Sequence, residues 1–326
     1  MRLIGLAIIL AVSVTLAPLA GEGQQPEKVR RIGILIGSSA SFIAPYIETF
    51  RQALRGLGYL EGQNIAIEYR YAEGNYERLP VLAADLVRLK VDIIVTEGTP
   101  PSRAAKQATT TIPIVMTATG DPVETGLVAN LARPGGNLTG ASFFFPEIAA
   151  KRLQLLKEAV PAVSRVTVIW NPANPIQEPS VKAIEAAAKT LGIVVQHVKV
   201  QAPADFDGAL SAISKSRNSL LVLEDALINI YSSQIASLAT RTRLPTIFGL
   251  TTFAEAGGLM AYGPNRGELW RRAATFVDKI LRGARPGELP VEQSTRFDLV
   301  INLNTAKSLG LTIPQSVLGR ADQVIE

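Results

Sequence analysis

Residues 31–41 read RIGILIGSSAS, and the order of residue types in that stretch decides the architecture. Ile32, Ile34, Leu35 and Ile36 make a short apolar run stopped by Gly37, as in a strand buried on both faces of a parallel sheet. Ser38, Ser39 and Ser41 follow, and apolar spacing then predicts a helix over 42–57. Backbone N–H groups and a positive dipole end would therefore face whatever lies beyond the strand. The pattern returns at residues 165–175, RVTVIWNPANP: a basic residue, an apolar strand, a polar loop, then helix. Two such units predict two similar lobes whose loops face each other.

Outward from residue 41 the alternation continues. Ile65, Ile67 and Tyr69 alternate as a strand, 78–89 has helical spacing, and 91–96 is a second buried run ending at Glu97, Gly98 and Thr99. A helix over 102–109 and a strand over 114–117 come next, then the loop Ala118, Thr119, Gly120, Asp121 and Pro122. Strand and helix in strict alternation predict an α/β fold of doubly wound parallel sheets, with the ligand crevice beyond the carboxyl ends of the strands. Arg31 and Arg165, like Leu57-Gly58 and Leu191-Gly192, stand 134 residues apart, and Ile112-Pro113 and Leu244-Pro245 stand 132 apart. Offsets that constant at equivalent places argue for two lobes of one topology.

The boundaries follow from the turn-rich runs. Residues 132–139, ARPGGNLT, lead into a strand over 140–145, and a second crossing is expected near 262–265. The expected division is 29–142 with 264–285 for lobe one and 143–263 with 286–326 for lobe two, joined by a multi-strand hinge. An amphipathic helix over 268–281 should pack back on lobe one.

The chain has 326 residues, 47% hydrophobic and 19% charged, with a net charge of +5. Length suits two domains of ordinary size. No block of like charge and no basic stripe interleaved with aromatics points to nucleic acid. Residues 1–23 begin with Arg2, continue through an apolar stretch and end in small residues, the order of a secretory signal peptide cut after Ala20 or Gly23. An uncleaved anchor is the alternative, although the apolar stretch is short for a span of about 20 residues. There is no Cys, so neither a disulfide nor a lipid-anchor thiol is expected, and a freely soluble periplasmic monomer is.

Catalytic chemistry finds little support. The single His197 falls in a strand over 193–200, away from the expected crevice. With no Cys, a nucleophile–histidine scheme depends on that one ring. P-loop, G-x-S-x-G and H-E-x-x-H patterns are missing, and no cofactor or metal is expected.

Four runs carry a resemblance: DPVETGLV at 121–128, LARPGGNLTG at 131–140, AGGLMAYGP at 256–264 and LVINLNTA at 299–306. With them the chain from Arg31 to Glu326 resembles a bacterial ABC transporter substrate-binding protein family often labelled as tryptophan/tyrosine uptake. The resemblance implies a periplasmic binding protein type I fold, a small-molecule ligand closed between two lobes, and delivery to an ABC permease driven by ATPase subunits on other chains. A ligand-binding sensor module of a signalling system is the alternative function.

An amino acid ligand needs an anion site and an ammonium acceptor. Ser38, Ser39, Gly98, Thr99 and Ser102 lie where strands end and helices begin, so their hydroxyls and amides are candidates for the carboxylate, with helix capping as the competing role. Thr117 and Asp121 end another strand of lobe one. From lobe two come Asn171, Asn174 and the acidic pair Glu224 and Asp225, one of which is expected to take the ammonium. Trp170, Phe143, Phe144 and Tyr46 would face a flat apolar ligand or else be core. Gly249 would allow close backbone approach to ligand.

Overall fold

The computed structural model describes residues 29–143 and 145–326. The expected signal segment and Phe144 lie outside the described residues. In the first half β1 (Arg30–Ile36), α1 (Ala40–Gly56), β2 (Ile65–Tyr71), α2 (Leu79–Arg88), β3 (Ile93–Glu97), α3 (Thr99–Ala108), β4 (Ile114–Thr119) and β5 (Leu138–Ser142) follow in turn. After α4 (Phe145–Ala159) the second half runs β6 (Arg165–Trp170), α5 (Gln177–Leu191), β7 (Val194–Lys199), α6 (Phe206–Ser216), β8 (Ser219–Val222), α7 (Ala226–Ile230), α8 (Ser232–Arg241), β9 (Thr246–Phe248), α9 (Thr251–Glu255) and β10 (Met260–Pro264). The tail holds α10 (Arg266–Leu281), β11 (Glu292–Gln293), β12 (Phe297–Asn302), α11 (Leu303–Ser308), α12 (Gln315–Leu318) and β13 (Gln323–Ile325).

These strands form two sheets, ordered β11-β5-β4-β3-β1-β2 and β13-β12-β10-β9-β8-β6-β7. All pairings are parallel except β10 with β12. The repeated unit is plain in the order: β2-β1-β3-β4-β5 in one sheet matches β7-β6-β8-β9-β10 in the other. In each, the direction of winding reverses beside the first strand of its lobe, between β1 and β3 and between β6 and β8. Such a switch point leaves a crevice at the carboxyl ends of the two strands.

Burial explains the composition of the strands. Ile32, Ile34, Leu35 and Ile36 of β1 are fully buried, because helices cover both faces and a central parallel strand has no solvent side. The edge strand β7 instead is exposed at Val194, Gln196 and Lys199, half-buried at Val195 and His197, and buried only at Val198. α3 begins three residues before the helix expected over 102–109, taking in Thr99, Pro100 and Pro101. Proline breaks a helix interior but suits the first turn, where an N–H has no intrahelical acceptor.

Helix α10 returns to the first lobe. Its Trp270 is fully buried and meets Phe50 of α1 edge-on, with ring centroids 5.8 Å apart, inside a cluster with Ile43, Ile47 and Ile34. The expected assignment of 286–326 to lobe two needs correction at its start. β11 pairs with β5, Val291 N–H donates to Leu131 O at 2.8 Å, and Thr139 Oγ1 donates to Leu289 O at 2.7 Å. Glu292 and Gln293 therefore belong to the first sheet, whose β5 edge would otherwise stand unpaired, and 286–291 are bonded to the same lobe. The chain passes between the lobes after β5, after β10 and after β11.

Replacing Trp270 with Ala should remove about 3–5 kcal/mol of stability, the usual cost of emptying a large aromatic site. Urea unfolding checks this, and a loss under 1 kcal/mol would mean that α10 is not anchored on α1.

Candidate functional site

The two switch points face each other. Between them lies a narrow gap of about 40 Å³, bounded by Tyr76, Glu97, Gly98, Thr99, Pro100, Pro101, Ala118 and Arg266 from the first lobe's side and by Asn174, Ile176, Glu224, Asp225, Ala226 and Asn229 from the second. The lobes touch closely around it. A Cβ on Gly74 would lie 3.0 Å from Leu227 Cα, and one on Gly120 would lie 2.5 Å from Ile176 Cγ2, so at both places only glycine permits the approach.

Asp225 is where the lobes are joined by hydrogen bonds. It follows β8, is 3% exposed, and caps α7 by accepting from Leu227 N–H at 3.0 Å. Asn171 Nδ2 donates to Oδ1 at 2.9 Å and Asn174 Nδ2 to Oδ2 at 3.0 Å, both from the loop after β6. The fourth donor comes from the opposite lobe: Tyr76 Oη lies 2.5 Å from Oδ2. Burial, and then the Asp225 charge, push the Tyr76 phenol well above its ordinary range, so the hydroxyl keeps its proton and donates.

Glu224, one residue earlier, faces an internal cation. Arg152 of α4 grips it with both terminal nitrogens at 2.6 Å, and Arg152 Nε donates to Tyr262 O at 2.7 Å. Both side chains are essentially inaccessible, at 0% and 2%. A bidentate guanidinium–carboxylate pair satisfies each partner, whereas losing one would strand a buried charge at a cost of about 3–5 kcal/mol. Gln177 completes the frame by accepting from Asn171 N–H and donating to Glu224 O. Gly249 also belongs to this frame: a Cβ there would fall 1.7 Å from the Glu224 carboxyl. Its missing side chain makes room for Glu224, not for a ligand.

On the first lobe, Glu97 ends β3 with 6% exposure. It accepts from Ser38 Oγ at 2.7 Å and from Ser38 N–H at 3.3 Å, and Arg266 Nη1 lies 3.2 Å from its other oxygen. Burial raises its carboxyl above the ordinary glutamate range, against the opposing pull of Arg266 and Ser38. Arg266 opens α10 and sits over the Phe42 ring at 5.8 Å.

Of the residues expected from sequence, Gly98, Thr99, Asn174, Glu224 and Asp225 line the gap, and Ser38 and Asn171 stand one hydrogen bond behind it. The others lie elsewhere for definite reasons. Ser39 caps α1 by accepting from Phe42 N–H. Thr117 turns into the sheet, donating to Thr96 O at 3.0 Å. Asp121 accepts from Val123 and Glu124 N–H and borders a separate hollow with Arg103 and Pro179. Trp170 is 7% exposed in the second lobe's core, edge-on to His197 and beneath Lys199. Phe143 packs among Ala141, Ile148 and Leu269 at the crossing, and Tyr46 lies against Phe42 on the flank of the lobes. His197 pairs with Glu185 at 3.0 Å on β7, far from the gap. Tyr76, Glu97, Arg152, Asn229 and Arg266 were not anticipated.

Two lobes of one topology, hinged by three strands of chain and closed over a charged gap, define a protein that clamps a small molecule. The chain belongs to the family described as ABC transporter substrate binding protein, whose pattern matches residues 38–325. A tyrosine-binding protein of Clostridioides difficile (strain R20291) is 30% identical over 262 residues, 80% of this chain and 75% of that one. The ABC domain from Streptococcus pneumonia in complex with L-Trp superposes with a TM-score of 0.83 at 27% identity, covering 91% of this chain and 99% of that one. A ligand-free, open substrate-binding protein with adhesive properties from Clostridium difficile is 28% identical with the same coverages, yet its TM-score is 0.64. By TM-score this chain superposes better on the L-Trp complex than on the open form. Among the described residues no helix is long and apolar enough to cross a membrane.

Tyr76→Phe should shift the lobes toward opening by about tenfold or more, since a hydrogen bond to a charged acceptor contributes about 1.5–3 kcal/mol. Small-angle scattering without ligand would show a larger radius of gyration; identical curves would remove the clasp. Gly249→Ala should destabilise the second lobe by displacing Glu224 from Arg152, read as a lower thermal midpoint, and an unchanged midpoint would mean that this contact is not tight.

Proposed function

We propose that this protein captures a free aromatic L-amino acid, of the tyrosine or tryptophan class, in the periplasm and presents it in the closed form to an ABC permease. The observation that carries the reading is the gap itself, in which Glu97, Glu224, Asp225 and Arg266 surround a space between lobes. Charges of both signs, kept from bulk water, suit a zwitterion, and Pro100, Pro101, Ala118 and Ile176 supply apolar surface for a side chain. Gly98, Thr99, Asn174 and Asp225 are the contacts we assign to ligand from the residues that sequence singled out. The names of the tyrosine-binding relative and of the L-Trp complex support the aromatic class.

In this reading binding is the whole activity. A ligand that bridges the lobes favours the closed population, and the permease reads that population. Export through residues 1–23 and work as a monomer belong to the same proposal.

A thermal-shift panel of free L-amino acids tests it. A ligand at 100 times its dissociation constant should stabilise by about 2.7 kcal/mol, with L-tyrosine or L-tryptophan in the lead. If no amino acid gives a saturable shift, or if one is consumed by the protein, the proposal is wrong.

A further inference from the structure

Two residues lining the gap carry buried polar atoms without partners, and the two atoms are of opposite kind. Arg266 Nε is a donor with no acceptor, on a side chain only 9% exposed. Asn229 Oδ1 is an acceptor with no donor, on a residue 2% exposed. Leaving either unpaired costs about 1–3 kcal/mol, so both call for a group that arrives with the ligand. They come from opposite sides, Arg266 at the start of α10 packed on the first lobe and Asn229 on α7 of the second.

Two of the competing hydroxyls are already spent. Ser38 Oγ donates to Glu97 and Ser102 Oγ donates to Gly98 O, whereas Thr99 Oγ1 accepts from Gly120 N–H at 3.1 Å and keeps its own proton as a secondary donor. The N-terminus of α3 is poor in donors, because Pro100 and Pro101 have no N–H and Gly98 N–H is spent on Thr117 O. Among the described residues lining the gap, Arg266 is the one cation. Its pairing to Glu97 uses Nη1 alone, so the guanidinium keeps an edge for a second carboxylate.

We propose that Arg266 and Asn229 read the two ends of the ligand's zwitterion, the guanidinium taking the α-carboxylate and the Asn229 side-chain oxygen the α-ammonium. Asp225, whose donors are all uncharged side chains or backbone, adds its field to the ammonium end. A ligand held at both ends ties one lobe to the other. The assignment rests on the amino acid reading above and makes it specific: both charged groups are required, whichever side chain follows.

Calorimetric titration of the full chain with L-tryptophan, tryptamine and indole-3-propionate tests it. The wild-type protein should bind L-tryptophan about 100-fold more tightly than either analogue, the ordinary worth of a charge-assisted bond. Arg266→Gln should bring L-tryptophan down to the level of tryptamine while leaving tryptamine unchanged. Asn229→Leu should bring it down to that of indole-3-propionate. Because Arg266→Gln leaves Glu97 without its cation, the double variant Arg266→Gln, Glu97→Gln is measured beside it and should behave alike.

Wild-type protein that binds tryptamine as tightly as L-tryptophan overturns the assignment without any variant. So does a double variant that still prefers the amino acid. If a non-aromatic L-amino acid binds in place of tryptophan, the same series is run with that acid and its amine: loss of preference in the Arg266 variant upholds the assignment while the aromatic class falls. If no free amino acid binds, both fall together.

Discussion

A carboxylate taken out of water needs donors on every side, and Asp225 obtains them from both halves of the molecule. Asn171, Asn174 and Leu227 N–H serve it from its own lobe, and Tyr76 reaches it from across the gap. The first three make the acid tolerable when the lobes are apart, because a buried charge short of donors is costly. The fourth is available only when they meet. One side chain thus joins the local folding of the loop after β8 to the global arrangement of the protein.

Around that acid the charges are arranged in unequal ways. Glu224 is neutralised by Arg152, and that pair serves as structure, holding β8 and α4 to Tyr262 O of β10. Glu97 is matched by Arg266 through a single contact and two bonds from Ser38. Asp225 has no cation at all among its hydrogen-bond partners. Three acids at strand ends therefore play three parts, and the difference lies in what faces each one and not in the residue type.

Much of this was legible in the sequence. The apolar runs at 31–36 and 165–170, each followed by a polar loop, located both switch points, and with them Asn174, Asp225 and the residues after β3. The rest was hidden for physical reasons. Tyr76 sits in a short turn at Tyr76–Arg78, where no periodicity marks a residue as facing another lobe. Two cations did leave a trace. Arg152 interrupts the apolar stripe of Ile148, Leu155, Leu156 and Ala159 in α4, a place where a charge must be paired. Arg266 stands in the first turn of α10, where the helix dipole disfavours a positive charge. Trp170 misled because its position at the end of β6 is shared with cleft residues, whereas its side chain points into the sheet's packed face. Residues 286–293 misled because a two-strand pairing such as β11 with β5 has no sequence signature of its own.

Three side-by-side passages of chain between the lobes have a mechanical consequence. A single tether would let the halves swivel about any axis, and each closure would then begin with a search for alignment. Neighbouring tethers after β5, β10 and β11 leave bending about their common line as the soft motion and resist twist and sliding. Any opening would then return Tyr76 to Asp225 in the same register and confine the entropy lost on closing to one coordinate.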